Sequence, residues 1–179
     1  MPENVATTLQ QRIFTIRIDR PEKKNALTRA MYVDLIGAIQ RAEKDANVRV
    51  IVLTGGEDCF TAGNDLADFA AAEPGEAPVA LEYLRALAAA KKPVIAAVAG
   101  VAIGIGTTML LHCDMVYASE TARFQLPFVN LGLPRGGIER DSAHDVGSAP
   151  RSRTIAARRA VWRRSRAASW PRQPLCSTA

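Results

Sequence analysis

The sequence predicts an α/β fold, and three observations carry that prediction. Apolar runs typical of buried strands, at residues 48–54 and 93–99, alternate with segments patterned as helices. Two turns rich in small residues each follow such a run and open a helix. A chain of 179 residues, 48% of them hydrophobic, suits one domain with one core.

Each element has its own signal. Residues 12–18 alternate apolar and polar side chains, the pattern of a strand. Residues 19–25 form a polar, Pro-containing loop. Thr28 is placed to cap a helix running to about Asp45, with Met31, Leu35, Ile36 and Ile39 on one face. The run at 48–54 follows, and residues 55–58 turn the chain. A loop rich in Ala, Glu, Pro and Gly spans 70–78, then a helix is expected over 79–90. After the strand at 93–99, a buried helix is expected over 105–111 and a strand over 115–118. Residues 124–127 open a further strand or loop. No internal sequence repeat is visible.

The two turns carry the chemistry. Residues 59–69 read Cys-Phe-Thr-Ala-Gly-Asn-Asp-Leu-Ala-Asp-Phe, and residues 100–108 read Gly-Val-Ala-Ile-Gly-Ile-Gly-Thr-Thr. A small-residue turn at a helix start presents backbone N–H groups with no intrahelical acceptor. Such donors hold a negatively charged oxygen, aided by the helix dipole. Two convergent turns of this kind point to an enzyme that stabilises an enolate or a similar oxyanion. The competing reading is two structural turns, with Asp65 as a first-turn acid. The glycines of 100–106 do not follow the G-x-G-x-x-G spacing of a dinucleotide site, and no Walker-type phosphate loop is present.

At these residues the chain resembles the crotonase family, which includes enoyl-CoA hydratases and isomerases. The matching stretches are 20–27, 59–69, 92–100 with its glycine turn, and 112–119, in the family's order and spacing. The resemblance runs from about Arg12 to Leu133. It implies a spiral of ββα units, incomplete at the C-terminus, and an acyl-CoA substrate. Coenzyme A would enter as part of that substrate, with no separate cofactor and no metal. The resemblance puts the two oxyanion donors at the backbone N–H groups of Asn64 and Ile105, each worth about 3 kcal/mol. Ala62, Gly63, Asp65 and Gly104 shape those turns. Lys24, Asn25, Ala26 and Leu27 resemble the loop that meets coenzyme A, and Lys23 and Lys24 could attract its phosphates. Intact relatives are expected to be homotrimers or hexamers.

The chain departs from the family at the acids and bases. The two glutamates of hydratases map to Thr108 and Phe128, neither of which carries a proton near neutral pH. Related isomerases place one glutamate in a pattern like N-L-G-L-x-P-E. This chain has Asn130-Leu131-Gly132-Leu133-Pro134 and then Arg135. The general base is therefore missing. His112 and Asp114 read as structural, His144 forms no triad or metal pattern, and Glu57 and Asp58 read as solvated. The expected function is an enoyl-CoA isomerase of fatty-acid degradation, impaired in this chain. The alternative is a catalytically silent acyl-CoA-binding or interaction protein.

Residues 1–133 are expected to form the crotonase-like core, and 134–179 a poorly ordered tail. That tail holds ten Arg, no Lys and three acids, a net +7, which leaves −2 for the rest of a chain whose total is +5. Arg clusters around Trp162 could bind nucleic acid. The stronger reading is a frameshift. Codons permitted for residues 134–143, read one base later, spell PEGGSSVTLP, which restores the isomerase pattern. Later residues permit a helix-forming AAELLLLGE stretch. No nucleic-acid partner is therefore expected. Loss of the C-terminal helices is expected to leave apolar faces uncovered. No apolar run is long enough to span a bilayer, and the N-terminus has no secretory pattern. Three scattered cysteines form no disulfide framework or metal spacing, so a reducing, cytoplasmic setting is expected.

Overall fold

The computed structural model describes residues 4–70 and 79–127. Expectations for Phe128, for residues 130–135 and for the Arg-rich tail lie outside these residues. The described part holds eight strands, four helices and two short 3-10 turns. Strands β1 (Val5–Gln10), β2 (Ile13–Ile18), β3 (Val50–Thr54), β5 (Val94–Val98) and β7 (Met115–Ala118) form one sheet in the order β1-β2-β3-β5-β7. Only β1 runs antiparallel to its neighbour. Three strands of three residues each, β4 (Cys59–Thr61), β6 (Val101–Ile103) and β8 (Arg123–Gln125), form a second, parallel sheet.

This pairing exposes a structural repeat that the sequence hides. The chain passes from β3 to β4 and then to helices α2 (Leu66–Ala70) and α3 (Val79–Ala89). It passes from β5 to β6 and then to α4 (Ile105–Thr108), and next from β7 to β8. The first strand of each unit adds to the large sheet and the second to the small one. The unit before them, β2 followed by α1 (Arg29–Lys44), has only an isolated bridge in place of a second strand, with Leu27 pairing Asn64 in parallel. Corresponding turns of successive units are therefore neighbours in space.

Helix α1 begins at Thr28, whose hydroxyl accepts the Met31 N–H at 3.3 Å, as the sequence predicts. It buries Met31, Tyr32, Leu35, Ala38, Ile39 and Ala42, while Ile36 is half-buried. Its C-terminal carbonyls are capped from afar. Lys92 Nζ donates to the carbonyls of Ala42 and Asp45, each at 2.6 Å. In the sheet, Ile16, Leu53 and Ala96 align across three strands and are buried, as are Ile51 and Val94 one pair along. With Leu84 and Leu87 of α3 and Phe60 of β4 they form one core. Each fully buried Leu or Ile contributes about 1.5–3 kcal/mol.

The structure corrects several sequence expectations. Strand β1 was not predicted, nor were the short strands β4 and β6 that begin the two turn segments. The helix expected over 105–111 is four α-helical residues followed by a 3-10 turn, Met109–His112, with Leu111 exposed. The loop after β2 contains a 3-10 turn, Pro21–Lys23. Among the described residues no helix is long and apolar enough to cross a membrane. Among the described residues, strands β7 and β8 end their sheets, with Met115, Tyr117 and Phe124 exposed.

Candidate active site

Both glycine turns leave the same end of the second sheet, because β4 and β6 are parallel neighbours. Close backbone approaches bring them together. A Cβ on Gly63 would lie 2.8 Å from the Ile103 carbonyl oxygen, and one on Gly106 would lie 2.4 Å from Thr61 Cγ2. Gly63 (φ +94°) and Gly104 (φ +58°) also hold backbone conformations that side chains resist.

Hydrogen bonds fix the aim of the two predicted donors. The Gly63 carbonyl accepts the Leu27 N–H at 2.8 Å. In a planar trans peptide the next N–H points the opposite way, so the Asn64 N–H faces away from Leu27. The Gly104 carbonyl accepts the N–H groups of Thr107 (2.9 Å) and Thr108 (3.0 Å). By the same geometry the Ile105 N–H points back out of the helix start. Neither N–H has an acceptor among the described residues. Helices α2 and α4 have five and four residues, so their dipoles are small and the N–H groups themselves dominate.

The predicted coenzyme A loop is stitched to the first turn. Lys24 and Asn25 both have positive φ, and Asn25 is 2% exposed. The Asn25 side chain accepts the Arg20 N–H (2.7 Å) and donates to the carbonyls of Cys59 (2.9 Å) and Phe60 (3.3 Å). Its own carbonyl accepts the Thr61 hydroxyl at 2.6 Å, and that hydroxyl accepts the Gly63 N–H at 3.0 Å. The Lys24 carbonyl accepts the Ala62 N–H, and the Leu27 carbonyl accepts the Asp65 N–H. Every backbone N–H from Lys24 to Leu27 is engaged within the protein. What the loop presents outward is carbonyl lone pairs and the exposed side chain of Lys23.

Asp65 is more than a first-turn acid. Its Oδ1 accepts the N–H groups of Ala67 (3.1 Å) and Asp68 (3.4 Å), capping α2. Its Oδ2 accepts Arg20 Nη1 at 2.8 Å, and the same nitrogen donates to the Ala26 carbonyl. The Arg20 guanidinium and these N–H groups hold the Asp65 carboxyl below the usual carboxylate range.

Thr108 is the position to which the family resemblance maps a hydratase's first glutamate. It is 2% exposed, and its hydroxyl donates to the Gly104 carbonyl at 3.3 Å. His112 is buried in the 3-10 turn, and Asp114 accepts the Val94 N–H at 2.9 Å, tying β7 to β5. Glu57 and Asp58 are exposed. Among the described residues, no three His, Cys, Asp or Glu side chains gather as metal ligands. Sequence reasoning missed Arg20, the partner of Asp65, and Tyr32, whose hydroxyl donates to Asn64 Oδ1. No sequence signal marks either pair, since each joins residues more than 30 positions apart.

The fold and turns place this chain among known proteins. Residues 8–155 match the enoyl-CoA hydratase/isomerase family, so the chain belongs to that family. The match extends beyond Leu133, where the resemblance legible in the sequence stops. The chain is 38% identical over 138 residues to human enoyl-CoA delta isomerase 2, covering 73% of this chain and 35% of that protein. It is 36% identical over 152 residues to 2,3-dehydroadipyl-CoA hydratase of Escherichia coli K12, covering 82% and 58%. The chain thus spans about a third to three fifths of these relatives' lengths. A crystal structure of enoyl-CoA hydratase/isomerase from Pseudoalteromonas atlantica T6c superposes with a TM-score of 0.68 at 44% identity, covering 73% of this chain and 52% of that one.

Proposed function

We propose that this chain binds acyl-CoA thioesters and holds the thioester oxygen between the N–H groups of Asn64 and Ile105. The observation that carries the reading is the pair of adjacent turns whose N–H donors have no acceptor among the described residues. A proton leaving the carbon next to the carbonyl puts charge on that oxygen. Two fixed donors lower the barrier to that step. In an isomerase the proton returns two carbons along, and the double bond moves from position 3 to position 2. The name of the human relative, an enoyl-CoA delta isomerase, supports an isomerase-type parent. So does threonine in place of a hydratase glutamate at position 108.

The same threonine favours a second reading, in which the chain binds acyl-CoA without turning it over. A hydroxyl bonded to its own helix carbonyl cannot act as a base near pH 7. With Arg135 where isomerases carry glutamate, turnover is impaired on either reading.

Calorimetry and an isomerase assay on the full chain test this. An acyl-CoA binds more tightly than coenzyme A alone, and a 3-enoyl-CoA is turned over weakly or not at all. Equal affinity for the two ligands overturns the oxyanion reading. Turnover within about tenfold of intact relatives overturns the impairment.

A further inference from the structure

Two buried tyrosines lie between the donor turns, one bonded to the first turn and the other to the residue that follows the second. Tyr32, in α1, is 3% exposed, and its hydroxyl donates to Asn64 Oδ1. Its ring centroid lies 5.7 Å from that of Tyr83 in α3, with the planes tilted by 46°. Tyr83 is fully buried, and its hydroxyl reaches Met109 Sδ at 3.6 Å. Met109 directly follows α4, and its N–H bonds back to the carbonyls of Ile105 and Thr107. A continuous line therefore joins Asn64 to Ile105 through the core.

We propose that Tyr32 and Tyr83 form a strut that sets the separation of the two donor turns, making them positioning residues for the oxyanion site. The proposal rests on the oxyanion reading given above. The β4–β6 register shifts between Cys59 and Thr61, so the strand pairing is irregular just before the first turn, and the tyrosine line adds a second tie to the direct contacts between the turns. Close-packed rings transmit displacement, having few rotamers and no void to move into. Phenylalanine would fill either place, so the hydroxyls are the informative atoms. Burial drives both hydroxyls far above the ordinary phenol pKa, so they remain donors throughout the physiological range.

The test uses an acyl-CoA whose thioester carbonyl is conjugated to a chromophore. Polarising that carbonyl shifts its absorbance to the red. The unaltered chain is expected to give the shift. Tyr32→Phe and Tyr83→Phe each lose most of it, while the Kd for free coenzyme A stays within about threefold. The double variant loses no more than the larger single loss, because both break one line. Asn64→Ala removes the acceptor, keeps the buried rings, and matches Tyr32→Phe. It serves where Tyr32→Phe does not fold. A full shift in Tyr83→Phe and in either Tyr32→Phe or Asn64→Ala overturns the strut and leaves the oxyanion reading intact. Equal losses of shift and of coenzyme A binding overturn it too, since a merely structural role gives that result. No shift in the unaltered chain overturns the oxyanion reading itself, and the strut with it.

Discussion

Replacing Asn25 with alanine attacks the joint between the predicted coenzyme A loop and the first donor turn. The side chain makes bonds of 2.7, 2.9 and 3.3 Å to the Arg20 N–H and the carbonyls of Cys59 and Phe60. Two good bonds and one weak one amount to about 2–3 kcal/mol, since buried partners are left unsatisfied. Alanine at φ +56° adds about 1 kcal/mol of backbone strain. The expected loss is about 3–4 kcal/mol, a large part of a typical stability of about 5–15 kcal/mol. Glycine at the same place relieves the strain but not the lost bonds, so Asn25→Gly loses about 1 kcal/mol less than Asn25→Ala. Urea unfolding of the two variants measures both quantities. A loss below about 1 kcal/mol for Asn25→Ala refutes the latch. A glycine variant no more stable than the alanine one refutes the strain argument.

Gly63→Ala places a Cβ 2.8 Å from the Ile103 carbonyl at φ +94°; the expected cost is about 2–4 kcal/mol by urea unfolding, with acyl-CoA binding lost as the turns part. Lys92→Ala removes both 2.6 Å bonds to the end of α1 and is expected to cost about 1–3 kcal/mol by urea unfolding. Asp65→Asn tests the Arg20 contact through pH. Because the folded carboxyl titrates low, its contribution is present above the ordinary carboxylate value of about 4 and is lost as pH falls through the folded value. Thermal unfolding from neutral to acid pH therefore shows a flatter acid limb in Asp65→Asn, and an unchanged limb contradicts the pairing.

Much of the fold was legible because its signals are local. The Thr28 cap, the apolar face of α1 and the run at β3 each declare themselves within a few residues. Strand β1 did not. Its hairpin turns on Gln11 and Arg12, both at positive φ, where Asn-Gly would have given the signal. Strands β4 and β6 are three residues long, too short for a period of two to register, and the equally short β8 was legible only as a strand or loop opening at residue 124. The candidate site was legible where backbone strain demands glycine, at Gly63 and Gly104. Its support was not, since the Arg20–Asp65 pair and the tyrosine line join distant segments through packing alone. The structural repeat was hidden because strand pairing repeats while side chains do not.

The most direct measurement is amide NMR of the full chain titrated with an acyl-CoA and, separately, with coenzyme A. The Asn64 and Ile105 resonances should move downfield together with the thioester and stay in place with coenzyme A. Motion of only one, or of neither, would show that the two N–H groups do not share an oxygen.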